Sequence, residues 1–133
     1  MALADPQILI VDDDDELRTV LIATLTAKGY KALVARHGLE ALEVLHAGVR
    51  PDLILMDLCM PEMDGWQLRQ ALANEANVAG VPIVVMTAAQ SQDPGGLAVV
   101  DILAKPFSLD QLLTVVRRHL LDAELIPTKT GTA

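Results

Sequence analysis

The chain has 133 residues, a hydrophobic fraction of 52% and a formal net charge of −8 from 10 basic and 18 acidic residues. This length suits one domain, and the acidic charge, with one tryptophan, one tyrosine and one phenylalanine, argues against a surface that binds nucleic acid or an anionic membrane. The single cysteine, Cys59, excludes an internal disulfide and predicts a reducing, cytoplasmic compartment, and the sequence has neither a signal-peptide pattern nor an apolar run long enough to span a membrane.

A buried strand and a helix are predicted at the start of the chain. Residues 8–11 form a short aliphatic run that ends abruptly in acidic residues, which is typical of a strand buried on both faces. Asp14 or Asp15 can cap the helix that follows, and Gly29 can end it because glycine tolerates the left-handed backbone found after helices. The inward face of this helix is expected to carry Leu17, Val20, Leu21 and Leu25.

Two further strand and helix pairs follow in the middle of the chain. Residues 30–35 predict a second strand, and residues 53–56 predict a third, buried strand that ends at Asp57. Gly48 is expected to end the helix between these strands, and a loop that contains Pro61 is expected to precede the next helix. The residues expected to face inward from these two helices are Leu39, Leu42, Leu45, Leu68 and Leu72.

Two more strands are predicted in the last third of the chain. Residues 81–86 predict a fourth strand that ends at Thr87, and residues 99–104 predict a fifth that ends at Lys105. Between them, the turn sequence Asp-Pro-Gly-Gly at residues 93–96 leaves room for only a short or distorted helix.

The final helix is expected to start after Ser108, a favourable N-cap residue. Its inward face is expected to carry Leu109, Leu112, Leu113, Val116 and Leu120. The apolar spacing fades from Asp122 onwards. We therefore predict an N-terminal tail over residues 1–6, a single domain over residues 7–121 and a C-terminal tail or linker over residues 122–133.

The five alternations of strand and helix predict an α/β fold, with a doubly wound parallel sheet and helices on both faces. Ligands of such sheets bind beyond the carboxyl ends of the strands. The polar residues predicted to lie at this edge are Asp12, Asp13, Asp57, Thr87 and Lys105. Three carboxylates in one place repel one another unless they share a cation, and Mg²⁺ prefers oxygen ligands and is often completed by a phosphate. The pattern therefore predicts a Mg²⁺ site that accepts a phosphoryl group.

Four segments, in order along the chain, form a specific combination. They are residues 8–14 (ILIVDDD), a segment in two parts at residues 52–57 and 60–65 (DLILMD followed by MPEMDG), residues 83–88 (IVVMTA) and residues 105–107 (KPF). Together they resemble the receiver domain of bacterial two-component response regulators, the family that includes the chemotaxis regulators. The resemblance covers about residues 7–121. It implies a flavodoxin-like five-stranded sheet in the order 2-1-3-4-5 and a phosphoacceptor function in two-component or phosphorelay signalling.

The resemblance also implies a role for each acidic residue of the site. Asp57 would take a phosphoryl group from a phosphohistidine on a histidine kinase or a histidine phosphotransfer protein, which gives an acyl phosphate. Asp13, Asp57 and the main-chain carbonyl of Cys59 would bind Mg²⁺, and Asp12 would act partly through water. Such a chain would be a signalling domain rather than an enzyme, and its phosphorylation would alter a surface that binds a downstream protein.

The resemblance assigns Thr87 and Lys105 to the phosphoryl group as well. Thr87 would move to hydrogen-bond it, Lys105 would pair with Asp57 or with the phosphoryl oxygens, and the Lys105-Pro106 bond would be cis, as is usual in the family. Ile102 departs from the family pattern, which commonly has a tyrosine or phenylalanine three residues before the lysine as a switch side chain. The segment between Thr87 and Lys105 is also shorter than usual, so we expect a remodelled output face and do not assume the family's common dimer.

Cys59 and Ala89 occupy positions that often tune the lifetime of the acyl phosphate in this family. They lie two residues beyond Asp57 and Thr87. Neither side chain is a carboxylate or an amide that could orient an attacking water. We therefore expect slow autodephosphorylation.

Three alternative functions use parts of the same pattern. A haloacid-dehalogenase-type phosphohydrolase would use Asp12 and Asp14 with Mg²⁺, but it would leave Asp57 unused, and the Gly/Ser-Thr step expected after its second aspartate is absent. A flavodoxin-like cofactor binder would need a Gly-rich or Thr-rich phosphate loop after the first strand, which is also absent. A phosphorylation-independent interaction module on the receiver fold is favoured by Ile102 and opposed by the intact acidic site.

Overall fold

The computed structural model describes residues 6–57, 65–72, 75, 78, 80–87 and 99–132 of the chain. The strands among these residues are β1 (Gln7–Val11), β2 (Lys31–Ala35), β3 (Leu53–Asp57), β4 (Ile83–Thr87) and β5 (Val99–Ala104). The helices are α1 (Asp15–Ala27), α2 (Gly38–His46), α3 (Gly65–Leu72) and α4 (Leu109–Thr132). Across the described part of the chain, we find no helix with the length and apolarity that crossing a membrane requires.

The strands form one parallel sheet in the order β2-β1-β3-β4-β5, which confirms the predicted topology. β1 lies between β2 and β3, so that Val11 is opposite Ala35 on one side and Met56 on the other. On the next pair of strands, Asp57 of β3 is opposite Met86 of β4. Because every pair is parallel, the carboxyl ends of the strands lie along one edge of the sheet.

The sheet is buried on both faces. Successive residues of a strand point to opposite sides, so each strand contributes side chains to two core layers. One core layer contains Ile8, Ile10, Leu53 and Leu55 of the sheet, Leu21 and Leu25 of α1, and Leu112 and Val116 of α4. The other layer contains Leu9, Val11, Ile54 and Met56 of the sheet, Ala41 and Leu45 of α2, and Leu72 of α3. The central strands are therefore packed from both sides, and this packing positions the residues at their ends.

The predicted helix ends are confirmed at Asp14, Gly29, Gly48 and Ser108. Gly48 follows the end of α2 at His46 and has a positive φ of +99°. Asp14 is the N-cap of α1, and its side chain accepts a hydrogen bond from the backbone N–H of Leu17 at 3.2 Å. After the same helix, Gly29 has a φ of +91°, the left-handed conformation that glycine adopts without strain. Before α4, the Ser108 hydroxyl accepts from the Gln111 N–H at 3.0 Å, and the Gln111 side chain accepts from the Ser108 N–H at 2.8 Å, which is a reciprocal capping box.

Three leucine or valine side chains that were expected to face inward are exposed instead. Val20 follows Thr19 and precedes the buried Leu21, so it points about 100° away from the side of α1 that contacts the sheet. Leu39 directly follows the buried Gly38, so it points about 100° away from the face of α2 that carries the buried Gly38, Ala41 and Leu45. Leu109 lies in the first turn of α4, before Leu112, the first buried residue of that helix. The prediction was wrong at these positions because helical spacing defines a stripe of candidates, whereas the width of the contact with the sheet decides which are covered.

Some boundaries differ from the predicted ones. β4 begins at Ile83 rather than at residue 81, because Pro82 has no N–H to donate to a neighbouring strand. α4 continues to Thr132, well beyond Asp122, because fading apolar spacing marks the end of a buried face and not the end of helical backbone. The predicted short helix between the fourth and fifth strands and the inward side chain of Leu68 lie outside the described residues.

Candidate functional site

The buried polar residues of the described chain all lie at the carboxyl edge of the sheet. They are Asp12, Asp57 and Thr87, and Asp12 is 0% exposed. Asp12 follows β1 directly, and Asp57 and Thr87 are the last residues of β3 and β4. Since β1, β3 and β4 are neighbours in the sheet, these distant positions in the sequence become adjacent. Burying polar groups costs free energy, so their grouping at one edge marks this edge as the candidate site.

Lys105 joins two of these carboxylates. Its Nζ lies 2.9 Å from Oδ2 of Asp12 and 3.3 Å from Oδ2 of Asp57. The pairing with Asp57 agrees with the role that the sequence suggested. The shorter contact with Asp12 was not predicted, because Asp12 and Lys105 lie far apart in the sequence and only the sheet brings β1 and β5 to the same edge.

The surroundings of Lys105 favour its charged form. Burial alone would lower the pKa of this ammonium, but the hydrogen bond to Asp12 and the negative charges of Asp12 and Asp57 outweigh burial, so the pKa of Lys105 is raised above its ordinary value. Lys105 is therefore a permanent positive charge in the site at neutral pH.

Three carboxylates meet beside this lysine. Oxygen atoms of Asp12, Asp13 and Asp57 all lie within 4.8 Å of one another, and Asp13 is exposed whereas the other two are buried. One ammonium cannot balance three negative charges, so the cluster retains a net affinity for cations. Carboxylate oxygens are hard ligands of the kind that Mg²⁺ prefers. The three carboxylates therefore fit a divalent cation, and the exposed Asp13 lies on the side from which solvent ions can enter.

Every polar group of Asp12 is engaged. Its N–H donates to the main-chain oxygen of Ala35 at 3.1 Å, and its Oδ1 accepts from the N–H of Asp14 at 2.9 Å. Its main-chain oxygen accepts from Nη1 of Arg18 at 2.8 Å, while its Oδ2 accepts from Lys105. Arg18 was not among the site residues predicted from the sequence. The signal available for it was its spacing of three residues from Asp15, with which it forms an ion pair on α1.

The main chain of Lys105 is tied to Thr87. The Lys105 N–H donates to the main-chain oxygen of Thr87 at 2.9 Å, next to the point where Thr87 pairs with Ala104 in the sheet. The peptide bond between Lys105 and Pro106 is cis, as the family resemblance implied. The end of β5 is thus anchored against the end of β4 at the site.

Three further positions were singled out from the sequence, namely Cys59, Ala89 and Ile102. Cys59 and Ala89 lie outside the described residues, so the expected metal-ligating carbonyl and the expected lifetime-tuning positions remain predictions. Ile102 is on β5 and 43% of its surface is exposed. The position at which the family commonly has an aromatic switch is therefore held by an exposed aliphatic side chain.

Known proteins with related sequences are response regulators. The family model described as "Response regulator receiver domain" matches residues 8–117. The chain is 37% identical over 119 residues to the regulatory protein AtoC of Escherichia coli, which covers 86% of this chain and 25% of that protein. It is 37% identical over 123 residues to the response regulator MprA of Mycobacterium ulcerans, covering 90% of this chain and 52% of MprA. The chain thus spans about half, or less, of the length of these relatives.

Solved structures agree with the sequence comparison. The chemotaxis protein CheY4 of Vibrio cholerae is 30% identical, with a TM-score of 0.78 and coverage of 86% of this chain and 98% of that chain. The receiver domain of the sensor histidine kinase PA1611 of Pseudomonas aeruginosa, in which a magnesium ion is coordinated in the active site cleft, is 32% identical, with a TM-score of 0.77 and coverage of 88% and 98%. The chain belongs to the response regulator receiver domain family of two-component signalling.

Proposed function

We propose that Asp57 is the residue of this receiver domain that becomes phosphorylated, and that Lys105, Thr87 and a Mg²⁺ ion assist the transfer. The observation that carries the proposal is the position of the Lys105 ammonium between two buried carboxylates from different strands, 3.3 Å from Asp57. A positive charge beside a carboxylate favours its ionised form, and an ionised carboxylate can attack a phosphorus atom.

Mg²⁺ would be held by Asp13 and Asp57, and Asp12 would contribute partly through water. The fit rests on three carboxylates within 4.8 Å of one another and on the exposure of Asp13. The main-chain carbonyl of Cys59 is the further ligand that the family resemblance suggests. When bound, the ion supplies positive charge against which the phosphoryl oxygens are stabilised.

The residues of the chain then have separate tasks in the transfer. An oxygen of Asp57 donates an electron pair to phosphorus to form the new O–P bond, while the N–P bond of the phosphohistidine breaks. The imidazole nitrogen keeps the electron pair of the broken N–P bond and takes up a proton from solvent water. Lys105 follows the negative charge as it moves from Asp57 to the phosphoryl oxygens. Thr87, at the end of β4, donates its hydroxyl proton to the bound phosphoryl group.

The proposal includes the partners of the domain and its setting. The phosphodonor is a histidine kinase or a histidine phosphotransfer protein, and the phosphorylated domain acts on a downstream protein as a signalling domain that turns over no separate substrate. A cytoplasmic location is supported by a lone cysteine, Cys59, which is typical of a reducing compartment. The functional domain extends over residues 7–121, between an N-terminal tail at residues 1–6 and a C-terminal tail or linker at residues 122–133.

The decisive experiment is the intact mass of the protein after incubation with Mg²⁺ and acetyl phosphate. We expect one added phosphoryl group on the wild-type chain and none on Asp57→Asn or in the presence of EDTA. An adduct that persists on Asp57→Asn would contradict the assignment of this residue. Failure to form an adduct, with Mg²⁺ binding shown separately, would favour an interaction module that works without phosphorylation. Phosphatase activity that is lost in Asp12→Asn would favour the phosphohydrolase.

A further inference from the structure

Arg18 of α1 connects the acidic residues that follow β1. Its side chain is only 12% exposed, and its Nη2 pairs with the carboxylate of Asp15. Its Nη1 donates to the main-chain oxygen of Asp12 at 2.8 Å. Helical side chains point back toward the N-terminus of their helix, so a residue one turn into α1 reaches residues that precede it. The start of α1 also has a cap of its own, since the Asp14 side chain accepts hydrogen bonds from the N–H groups of Glu16 and Leu17.

The oxygen that Arg18 holds belongs to the peptide unit between Asp12 and Asp13. A peptide unit is planar, so fixing its oxygen also fixes the direction in which the chain continues into Asp13. Among the described residues, we find no hydrogen bond that holds the Asp13 carboxylate itself. The place of this carboxylate beside Asp57 therefore depends on its main chain.

We propose that Arg18 is a positioning residue for the Mg²⁺ site. It holds the peptide unit between Asp12 and Asp13 so that the Asp13 carboxylate stays beside Asp57. Asp15 keeps the second guanidinium nitrogen engaged and away from the metal-binding oxygens. This inference rests on the proposed function, because it assigns a task to Arg18 only if the carboxylates bind Mg²⁺.

An electrostatic role and a positioning role of Arg18 predict opposite changes in Mg²⁺ binding when Arg18 is removed. A cation beside a metal site repels Mg²⁺, so removal of a merely electrostatic Arg18 would tighten Mg²⁺ binding. A residue that orients a metal ligand strengthens binding, and its removal weakens it. The sign of the change in the Mg²⁺ dissociation constant therefore separates the two roles.

The test measures Mg²⁺ binding by titration calorimetry on the unphosphorylated chain, together with the melting temperature without metal. Arg18→Met is expected to weaken Mg²⁺ binding about tenfold, the lower end of the effects seen for groups that orient metal ligands. Arg18→Lys keeps the charge but cannot hold both acceptors, so it is expected to weaken binding by about threefold. Lys28→Met removes an exposed cation at the end of α1 and is expected to change the dissociation constant by less than about twofold, because salt screens distant charges.

A control for stability is needed because Arg18 also contacts Asp15. Leu21→Met is a mild substitution in the buried face of the same helix. We expect it to lower the melting temperature and to leave Mg²⁺ affinity unchanged. If Leu21→Met weakens Mg²⁺ binding as much as Arg18→Lys does at an equal loss of melting temperature, Arg18 only stabilises the helix and the proposal is overturned.

Unchanged or tighter binding in Arg18→Met would also overturn the proposal. If Arg18→Met does not fold, Arg18→Lys serves as the test. A wild-type Mg²⁺ dissociation constant in Arg18→Lys would show that holding the peptide unit between Asp12 and Asp13 does not matter for Mg²⁺ binding, and it would overturn the proposal. A wild-type chain that binds no Mg²⁺ overturns this inference and the proposed function together. A wild-type chain that binds Mg²⁺ and is phosphorylated, while both Arg18 variants bind normally, overturns this inference alone.

Discussion

The ammonium of Lys105 lies closer to Asp12, at 2.9 Å, than to the proposed phosphoacceptor Asp57, at 3.3 Å. Asp12 is fully buried and hydrogen-bonded on every side, so it fixes the lysine in place. Asp57 is held less tightly by the lysine and faces the exposed Asp13 across the carboxylate cluster. Lys105 can therefore keep its contact with Asp12 when Asp57 binds Mg²⁺ or takes up a phosphoryl group.

Removal of the lysine charge should destabilise the domain. Lys105→Met leaves the buried Asp12 without its counter-charge, and we expect the free energy of unfolding to fall by about 2 kcal/mol, less than for a fully buried pair because Lys105 is partly exposed. Urea unfolding at neutral pH measures this change. Lys31→Met, which removes an exposed lysine from β2, is the matched control. A loss no larger than that of the control would show that the Lys105 pairs carry no net stability.

Removal of one carboxylate should have the opposite effect. Asp13→Asn relieves repulsion within the cluster, and we expect the free energy of unfolding without metal to rise by about 1 kcal/mol at low ionic strength. The gain should shrink as salt is added. Glu43→Gln removes a negative charge from an exposed position of α2 and serves as the control. A destabilised Asp13→Asn would mean that its carboxylate has a favourable partner that outweighs the repulsion.

Mg²⁺ should stabilise the folded chain by mass action. At a free concentration 100 times its dissociation constant, one bound ion contributes about 2.7 kcal/mol to the free energy of unfolding. EDTA should reverse the increase in melting temperature, and Asp13→Asn should reduce it. An increase of equal size in the wild-type chain and in a variant that lacks both Asp13 and Asp57 carboxylates would place the bound ion elsewhere.

The dependence of stability on pH should include Asp101 of β5. Burial raises the pKa of this carboxyl, but hydrogen bonds from His119 and the Ile102 N–H and the charges of His119 and Arg118 outweigh burial, so its pKa is lowered in the folded chain. A lowered pKa in the folded state stabilises the protein above the unfolded pKa of about 3.9, and this stability is lost as pH falls through the folded value.

The variant Asp101→Asn tests that dependence. We expect it to lose about 1 kcal/mol at pH 7, where the wild-type carboxylate is ionised and paired with Arg118 at 3.1 Å and His119 at 3.0 Å. The difference from wild type should diminish as the pH falls below about 4. Urea unfolding from pH 7 to pH 3 measures it. A difference that stays constant over this range would indicate that lost packing, and not charge, is responsible.

The lifetime of the phosphorylated form should be long. Cys59 and Ala89 lack the carboxylate or amide that would orient an attacking water, so the acyl phosphate on purified protein should outlast a few seconds by a wide margin. Ala89→Glu should shorten the lifetime, whereas Ala89→Val, which adds no polar group, should not. A wild-type half-life of only seconds would refute the prediction.

Local chemistry made much of the fold predictable. The aliphatic run before Asp12, the caps at Asp14 and Ser108 and the left-handed Gly29 depend on residues within a few positions of one another, so their patterns are visible in the sequence. Exposure of Val20 and Leu39 was not predictable in the same way, because it depends on how much of each helix the sheet covers.

The identities of the polar residues that end the strands follow from the order of residues in the chain, and the parallel topology then places Asp12, Asp57, Thr87 and Lys105 at one edge. The contacts within that edge depend on how the strands and helices pack in three dimensions. Lys105 lies nearer to Asp12 than to Asp57, and Arg18 donates to a main-chain oxygen. Neither contact was predictable, because both depend on ångström-scale distances between strands and a helix. A linear pattern carries residue types and spacings, but the distance between atoms of different strands is set by how the whole sheet packs.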